Sequence, residues 1–477
     1  MKLDEFLQKE YNYNANVKNN IQTYIDQWYS WYKGNVKDFH NYFIYNGNRK
    51  LKQSRYTMNM AKTISEDWSD ILWSEKCEIS LKDDSSQKAF DDLVDSLDLY
   101  SIINQALEKS GALGTVATVT SIYDIQQNED SMTLDTSEAK IRIDVVDVKN
   151  IYPLSWNNKE VTECAFASTH YFKGKKYIVL SVHLKQNDNY IIKNHLFEDS
   201  NGNLTELSTG NTLKEFNTKS NVKWFSIFRP LLTNNLFEAS PFGIPHYANS
   251  LDKLKMVDLA FDSLQNELRL SKKRIFVRAD MFNYDNGEQR LTFDPEDVSI
   301  YQLPTGATKD DLIQPDVDGL RTGNYIETLN TSLNMLGDSV GFGENHYHFD
   351  GTNLSTATAV ISSNSKLFRR KKKLEIGYES SIYDLVKSIC YASSLINEAK
   401  INDEDMVIQF DDSIIEDKEA ESIRALREVS SGLLGRTEYR EKIFGETEET
   451  AKQKILEIMQ ETLSTEQLLG GNQEWNY

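Results

Sequence analysis

Gly341-Phe342-Gly343-Glu344-Asn345-His346-Tyr347-His348-Phe349-Asp350-Gly351 holds too many glycines and polar groups for a helix interior, yet it joins two segments that both read helical. The pattern predicts a loop that projects from its flanking helices as a finger. The earlier segment starts near Asn324. The later one, about Ser355 to Lys400, would span roughly 65 to 70 Å if wholly helical, a rod few compact domains need. Gly377 marks the expected bend. This rod carries Arg369, Arg370, Lys371, Lys372 and Lys373. At about 100° per residue, five consecutive positions cover every face of a helix, so the five cannot all address one partner. Some must pair with acids, and Glu375 and Glu379 stand at suitable spacing. A solvated or interchain salt-bridged face and a DNA-facing belt both fit the run.

Outward from this stretch, the chain of 477 residues is long enough for roughly three units of ordinary size. Hydrophobic residues at 39% and charged residues at 26% suit a folded protein rather than a disordered one. The net charge of -20 argues against a protein that coats nucleic acid, so any DNA contact must be local or weak. Cys77, Cys164 and Cys390 are far apart and odd in number, which suggests neither a disulfide framework nor a zinc site and fits a reducing compartment. The amphipathic, acidic start Met1 to Phe6 lacks the apolar core of a signal peptide, and no apolar run approaches the ~20 residues of a membrane span.

Residues 1 to 110 read mainly helical. Ile21, Tyr24, Ile25, Trp28 and Tyr32 recur at helical spacing, as do Met60, Ile64, Trp68, Ile71 and Leu72 before a short strand at Cys77 to Leu81. The cluster Trp28, Tyr29, Trp31, Tyr32 reads as core rather than as a base-stacking surface. From about Val116 to Phe228 short strands alternate with turns at Lys173-Gly174-Lys175 and Asp199 to Asn203. Pro241 and Pro245 precede a long amphipathic helix with Leu251, Leu254, Val257, Phe261, Leu264 and Leu268 on one face and Asp252, Asp258, Asp262 and Glu267 off it. A compact insertion follows, with strands at Ile275 to Arg278 and Val298 to Leu303. Met406 to Phe410 reads as a strand returning to an earlier sheet. Helices at about Asp417 to Ser430, Thr437 to Ile443 and Glu446 to Thr462 come next, and a polar tail after them reads as disordered.

Catalytic motifs are missing. Gly111-Ala112-Leu113-Gly114-Thr115 lacks the lysine of a phosphate cradle and reads as a turn into a strand. His346 and His348 have no evident third ligand, and the acids around Asp403 and Asp411 read as solvated turns.

Taken in order along the chain, several stretches resemble the portal proteins of tailed bacteriophages, closest to those of long, flexible-tailed phages of Gram-positive hosts. They are Phe228-Arg229-Pro230, Pro241-Phe242-Gly243-Ile244-Pro245, the helix with Asp252 and Asp258, and Lys272-Lys273-Arg274-Ile275. The likeness continues through Phe349-Asp350-Gly351, Ser355-Thr356-Ala357-Thr358-Ala359-Val360 and Phe410 to Asp417. The resemblance implies a mainly helical α+β portal fold: a wing over 1-245, a stem helix over 246-271, a clip over 272-320 and a second stem helix over 321-340. A tunnel loop over 341-354, a long spine helix over 355-400, a return strand in 401-416, a crown over 417-465 and a disordered tail over 466-477 complete it.

The same resemblance implies a ring of about twelve subunits at one capsid vertex, a closed head-to-tail assembly. Double-stranded DNA would pass through its channel. The implied partners are the terminase large subunit, a head-tail adaptor protein, and the major capsid and scaffolding proteins, in the virion and, during assembly, in the host cytoplasm. No cofactor and no catalysis are implied. Glu344, Asn345, His346, Tyr347 and His348 would face DNA, Arg369 to Lys373 would form a DNA-facing or intersubunit belt, and Asp252, Asp258, Asp262 and Glu267 would line the stem channel, where acids keep DNA from sticking. The competing readings are a metal-dependent DNA-processing enzyme built on scattered acids with His346 and His348, and a capsid scaffold or adaptor without a channel.

Overall fold

Trp28 and Trp31 are fully enclosed in the helix that the spacing predicts, with Tyr29 and Tyr32 partly covered, so the aromatic cluster is core. The computed structural model describes residues 2–46, 49–74, 77–123, 126–127, 134–135, 139–157, 160–200, 202–208, 214–237, 240–270, 275–278, 300–303, 321–343, 346–348, 357–396, 401–403, 405–411 and 418–469. It divides into two units, Met1–Asn353 with Ser365–Phe410, and Leu354–Asn364 with Asp411–Tyr477.

In the first unit, helices α1 (Leu3–Tyr11), α2 (Asn16–Tyr32) and the single turn α3 (Lys37–His40) lead into an antiparallel hairpin, β1 (Asn41–Asn46) and β2 (Arg49–Ser54), which the mainly helical reading of this region missed. Helix α4 (Met60–Leu72), strand β3 (Glu78–Ser80), α5 (Asp84–Leu97) and α6 (Leu99–Leu113) follow. Asp83 starts α5 by accepting the Ser86 amide at 2.9 Å, which satisfies one of the open donors of the first turn.

Gly114, at φ +80°, ends α6 and turns the chain into β4 (Val116–Tyr123), as the glycine-bearing motif suggested. A Cβ on Gly243 would sit 2.5 Å from the Gly114 carbonyl oxygen, and one on Gly114 2.6 Å from the Gly243 oxygen. Two backbones touch here, which only paired glycines permit. Gly243→Ala is therefore expected to cost about 1–3 kcal/mol by overpacking. Thermal or urea melts of the two proteins would show it, and coincident melts would refute the contact.

The β-rich middle continues through the short pair β5 (Gln126–Gln127) and β6 (Leu134–Asp135) to β7 (Lys140–Asp147), β8 (Ile151–Asn157), β9 (Glu160–Phe172), β10 (Lys175–Gln186), β11 (Asn189–Ser200), β12 (Asn203–Leu207), β13 (Glu215–Asn217) and β14 (Phe225–Phe228). One antiparallel sheet has the order β12-β11-β10-β9-β8 with β13 also on β11, and a second has the order β14-β4-β7. The turns fall where glycine permits positive φ: Gly174 at +76° and Gly202 at +90°. Asp199 accepts the Gly202 amide at 2.7 Å and pairs with Lys176, so its carboxylate closes the turn.

Helix α7 (Leu251–Leu270), the parallel pair β15 (Ile275–Arg278) and β16 (Ile300–Leu303), and α8 (Thr322–Val340) come next. The rest of the 272–320 insertion and the tail from 470 lie outside the described residues. Helix α9 (Ala357–Ile396) is helical through Gly377 without a break. That glycine serves close approach instead of a hinge: a Cβ there would lie 2.6 Å from the Leu231 Cβ. Leu367, Lys371, Leu374, Tyr378, Ile382 and Leu385 are buried at helical spacing along α9. Its small residues meet the β14-β4-β7 sheet directly, Ser388 Oγ 2.6 Å from Thr120 Oγ1 and Ser226 Oγ donating to the Ser381 carbonyl at 2.6 Å. Strand β17 (Val407–Gln409) returns to pair antiparallel with β3.

The second unit contains α10 (Lys418–Ser430), α11 (Arg436–Phe444) and α12 (Glu448–Leu469), close to the three expected helices. Arg440 grips Glu446 through two bonds of 2.7 and 2.9 Å, a bidentate pair that fixes the turn between α11 and α12.

Candidate functional site

Helices α7 and α8 pack side by side, with Leu254, Val257, Leu329 and Leu333 buried in the main core and Ser250 Oγ 2.9 Å from Ser339 Oγ. Asp252 is exposed on α7 and pairs with Lys255 three residues on. Glu267 is partly covered, near Arg321 at 3.7 Å and the Tyr325 hydroxyl at 3.5 Å.

Asp258 and Asp262 are not available to line anything, since they are 3% and 5% exposed. Asp258 accepts the Met58 amide at 2.8 Å, the Thr57 hydroxyl at 3.0 Å and His40 Nε2 at 2.9 Å. His40 Nδ1 accepts the Val36 amide, so the ring hydrogen sits on Nε2 and points at the carboxylate. Asp262 accepts the Tyr56 amide at 3.1 Å and lies 3.8 Å from Arg55. Of the four acids expected to line a channel, Asp252 and, in part, Glu267 face solvent, and Asp258 and Asp262 do not. The reason is that the segment 55–58 presents backbone donors that would otherwise be buried without acceptors.

The described part of the glycine-bearing loop does not project as a finger. Gly341, at φ +103°, ends α8, and Phe342 turns inward to stack on Trp68 of α4 at 4.6 Å between ring centroids. His346 also stacks on Phe342, at 4.3 Å between centroids. The Tyr347 hydroxyl donates to Asp67 Oδ2 at 2.6 Å, with His346 Nε2 3.8 Å from the same oxygen. Burial and Asp67 together push the Tyr347 phenol well up, so it stays a donor. His346 and His348 remain exposed, while Glu344, Asn345 and 349–354 lie outside the described residues. The aromatic contacts win because Phe342 and Tyr347 gain more by covering α4 than by standing in water.

The basic run divides by helical position. Arg369, Lys372 and Lys373 are exposed, but Lys371 is fully buried and bonded to Glu375. Arg370 is partly buried beneath Gly341, whose added Cβ would lie 2.9 Å from Arg370 Cγ, and burial lowers its guanidinium pKa. Lys371 therefore belongs to no surface belt. Lys372 reaches the same Glu375 at 3.3 Å, as the spacing suggested.

His246 stacks on Trp68 at 5.5 Å, and sequence reasoning did not single it out. Its pKa is lowered to about 3 by burial and by Arg370; that of His183, also enclosed, falls to about 3 by burial. Both are neutral in the fold and take up protons only on unfolding, so stability is full above the ordinary pKa near 6.5 and declines as pH falls below it. The apparent melting temperature is expected to drop between pH 7 and pH 5, above the range where carboxylates contribute. A flat profile across that interval would refute it.

Among the described residues no group of three or more His, Cys, Asp or Glu is placed to hold a metal ion, and no helix is long and apolar enough to cross a membrane. The family model described as "Phage portal protein, SPP1 Gp6-like" matches residues 12–465. No curated protein matches the chain.

Proposed function

Because the chain belongs to the SPP1 Gp6-like phage portal family, and so to the virion capsid components that serve genome packaging, we propose that about twelve copies close into a ring at one capsid vertex. Double-stranded DNA enters and leaves through the axial channel. The ring is also the docking platform for the terminase large subunit and later for the head-tail adaptor, and it joins the major capsid and scaffolding proteins during assembly in the host cytoplasm. The observation that carries this reading is the family match across nearly the whole chain. The family is structural, and the energy for DNA movement comes in this reading from the docked motor, which suits a chain without a phosphate-cradle motif.

In this assignment residues 1–245 with 401–416 form the wing, α7 and α8 the stem, 272–320 the clip, 341–354 the tunnel loop, α9 the spine and 417–465 the crown. Asp252 and Glu267 are the acids left to face the channel, where carboxylates keep phosphates from lodging. His346 and His348 are the described loop residues open to DNA, and Arg369, Lys372 and Lys373 are the exposed remainder of the basic run.

Electron microscopy of the purified protein, with its mass in solution, tests the reading. Rings with an axial channel of roughly 20 Å or more, wide enough for duplex DNA, are the expected result. Monomers at every concentration would overturn it.

A further inference from the structure

Residues 41–55 contain Arg49, Lys50, Lys52 and Arg55 and no Asp or Glu, in a chain of net charge -20. The fold makes most of this segment an arm. Among the described residues β1 pairs with β2 alone, leaving the outer edge of each strand without a partner. Phe43, Ile44 and Leu51 are 52%, 42% and 39% exposed. The register sets Phe43 opposite Lys52 on one face and Ile44 opposite Leu51 on the other, and Lys50 Nζ lies 4.1 Å from the centre of the Phe43 ring. A two-stranded ribbon with open edges and apolar groups on both faces is marginal in water and prone to pair with another chain.

Its root is built in the opposite way. The Arg55 amide donates to the His40 carbonyl at 2.7 Å, and the Arg55 guanidinium lies over the Phe39 and Tyr42 rings at 4.3 and 4.8 Å. Asp258 and Asp262, both buried, hold His40, Tyr56, Thr57 and Met58. An arm fixed so firmly at its base and left bare along its length is presented to something outside its own protomer.

We infer that this hairpin is clasped by a second copy of the chain, with Lys50, Lys52 and Phe43 of one face against the acidic ridge of α5 and with Ile44 and Leu51 of the opposite face covered by the same neighbour. Helix α5 exposes Asp84, Asp91, Asp92 and Asp95, with Lys88 its single cation. Arm and ridge are different surfaces of one chain, so in the proposed ring the contact repeats head-to-tail, the kind that propagates until the ring closes. The aliphatic pair favours protein over DNA as the partner: a nucleic acid rewards cations and stacking rings, while Ile44 and Leu51 gain only from an apolar surface. The inference rests on the ring reading and assigns one of its joints.

The test uses the full chain and its particle mass, with thermal melts confirming that each variant folds. Wild type should form rings. K50E/K52E should need at least tenfold more protein to assemble, D92K/D95K should be similarly impaired, and the four changes together should restore assembly. If wild type stays monomeric, the ring reading falls and this joint with it. If wild type forms rings and K50E/K52E does so equally well, the ring stands and the joint is refuted, including where that variant instead loses DNA, which would make the arm a nucleic-acid contact. Impairment of both double variants without mutual rescue would overturn the pairing with α5.

Discussion

Lys371→Ala is expected to lower stability by about 3–5 kcal/mol, the cost of leaving one member of a buried ion pair behind. Lys371 is fully enclosed and Glu375, one turn later, is 5% exposed. Removing the ammonium strands a carboxylate in the core, with Lys372 at 3.3 Å as partial relief from the solvent side. Lys373→Ala, two residues away and exposed, should change stability by no more than about 0.5 kcal/mol. The double variant K371M/E375L should recover most of the loss, since apolar groups of similar volume replace a buried pair without the cost of desolvating charge. Equal melting temperatures for Lys371→Ala and Lys373→Ala would refute the assignment. An assembly or DNA defect on neutralising all three lysines could then be traced to Lys372 and Lys373 only after Lys371 is held constant.

The position of Lys371 was readable in the sequence. Leu367, Lys371, Leu374, Tyr378, Ile382 and Leu385 keep helical period, and Lys371 stands on that apolar stripe. Reading 369–373 as a block of charge hid it, whereas reading the same helix by period places it in the core. The three-stranded and larger sheets, the returning β17 and the helices after 417 were legible because alternation, turn glycines and 3.6-residue spacing are local signals. The hairpin β1–β2 was not. Its arm lacks the apolar-polar alternation of a half-buried strand because neither face is covered by its own protomer. The inward packing of Phe342 and Tyr347 was not legible for a related reason: the glycines signal the end of α8, but Trp68 and Asp67, which draw these two rings down, lie more than 270 residues earlier in sequence and leave no local trace.

Asp258→Ala should be the most damaging single change among the four α7 acids. It removes the acceptor for the His40 ring, the Thr57 hydroxyl and the Met58 amide together. Each buried donor left without a partner costs about 1–3 kcal/mol, and because the three share one site the combined loss should be about 3–5 kcal/mol rather than their sum. Asp262→Ala should cost roughly half as much, since it strands mainly the Tyr56 amide and its arginine partner lies at 3.8 Å and is part-exposed. Asp252→Ala, whose carboxylate is 94% exposed, should leave the melt within about 0.5 kcal/mol of wild type. The order Asp258, Asp262, Asp252 in urea or thermal melts separates the buried, structural acids from the solvent-facing one on the same helix. Hydrogen exchange adds the local signature, with the 55–58 amides losing protection in Asp258→Ala before the rest of α7 does. An Asp258→Ala protein of unchanged stability would mean that the carboxylate is not engaged as placed, and would return it to the acids proposed to face the channel. If the order is as expected, those one turn apart at 258 and 262 anchor the hairpin, and only the acids clear of that anchor are left for the channel role proposed above.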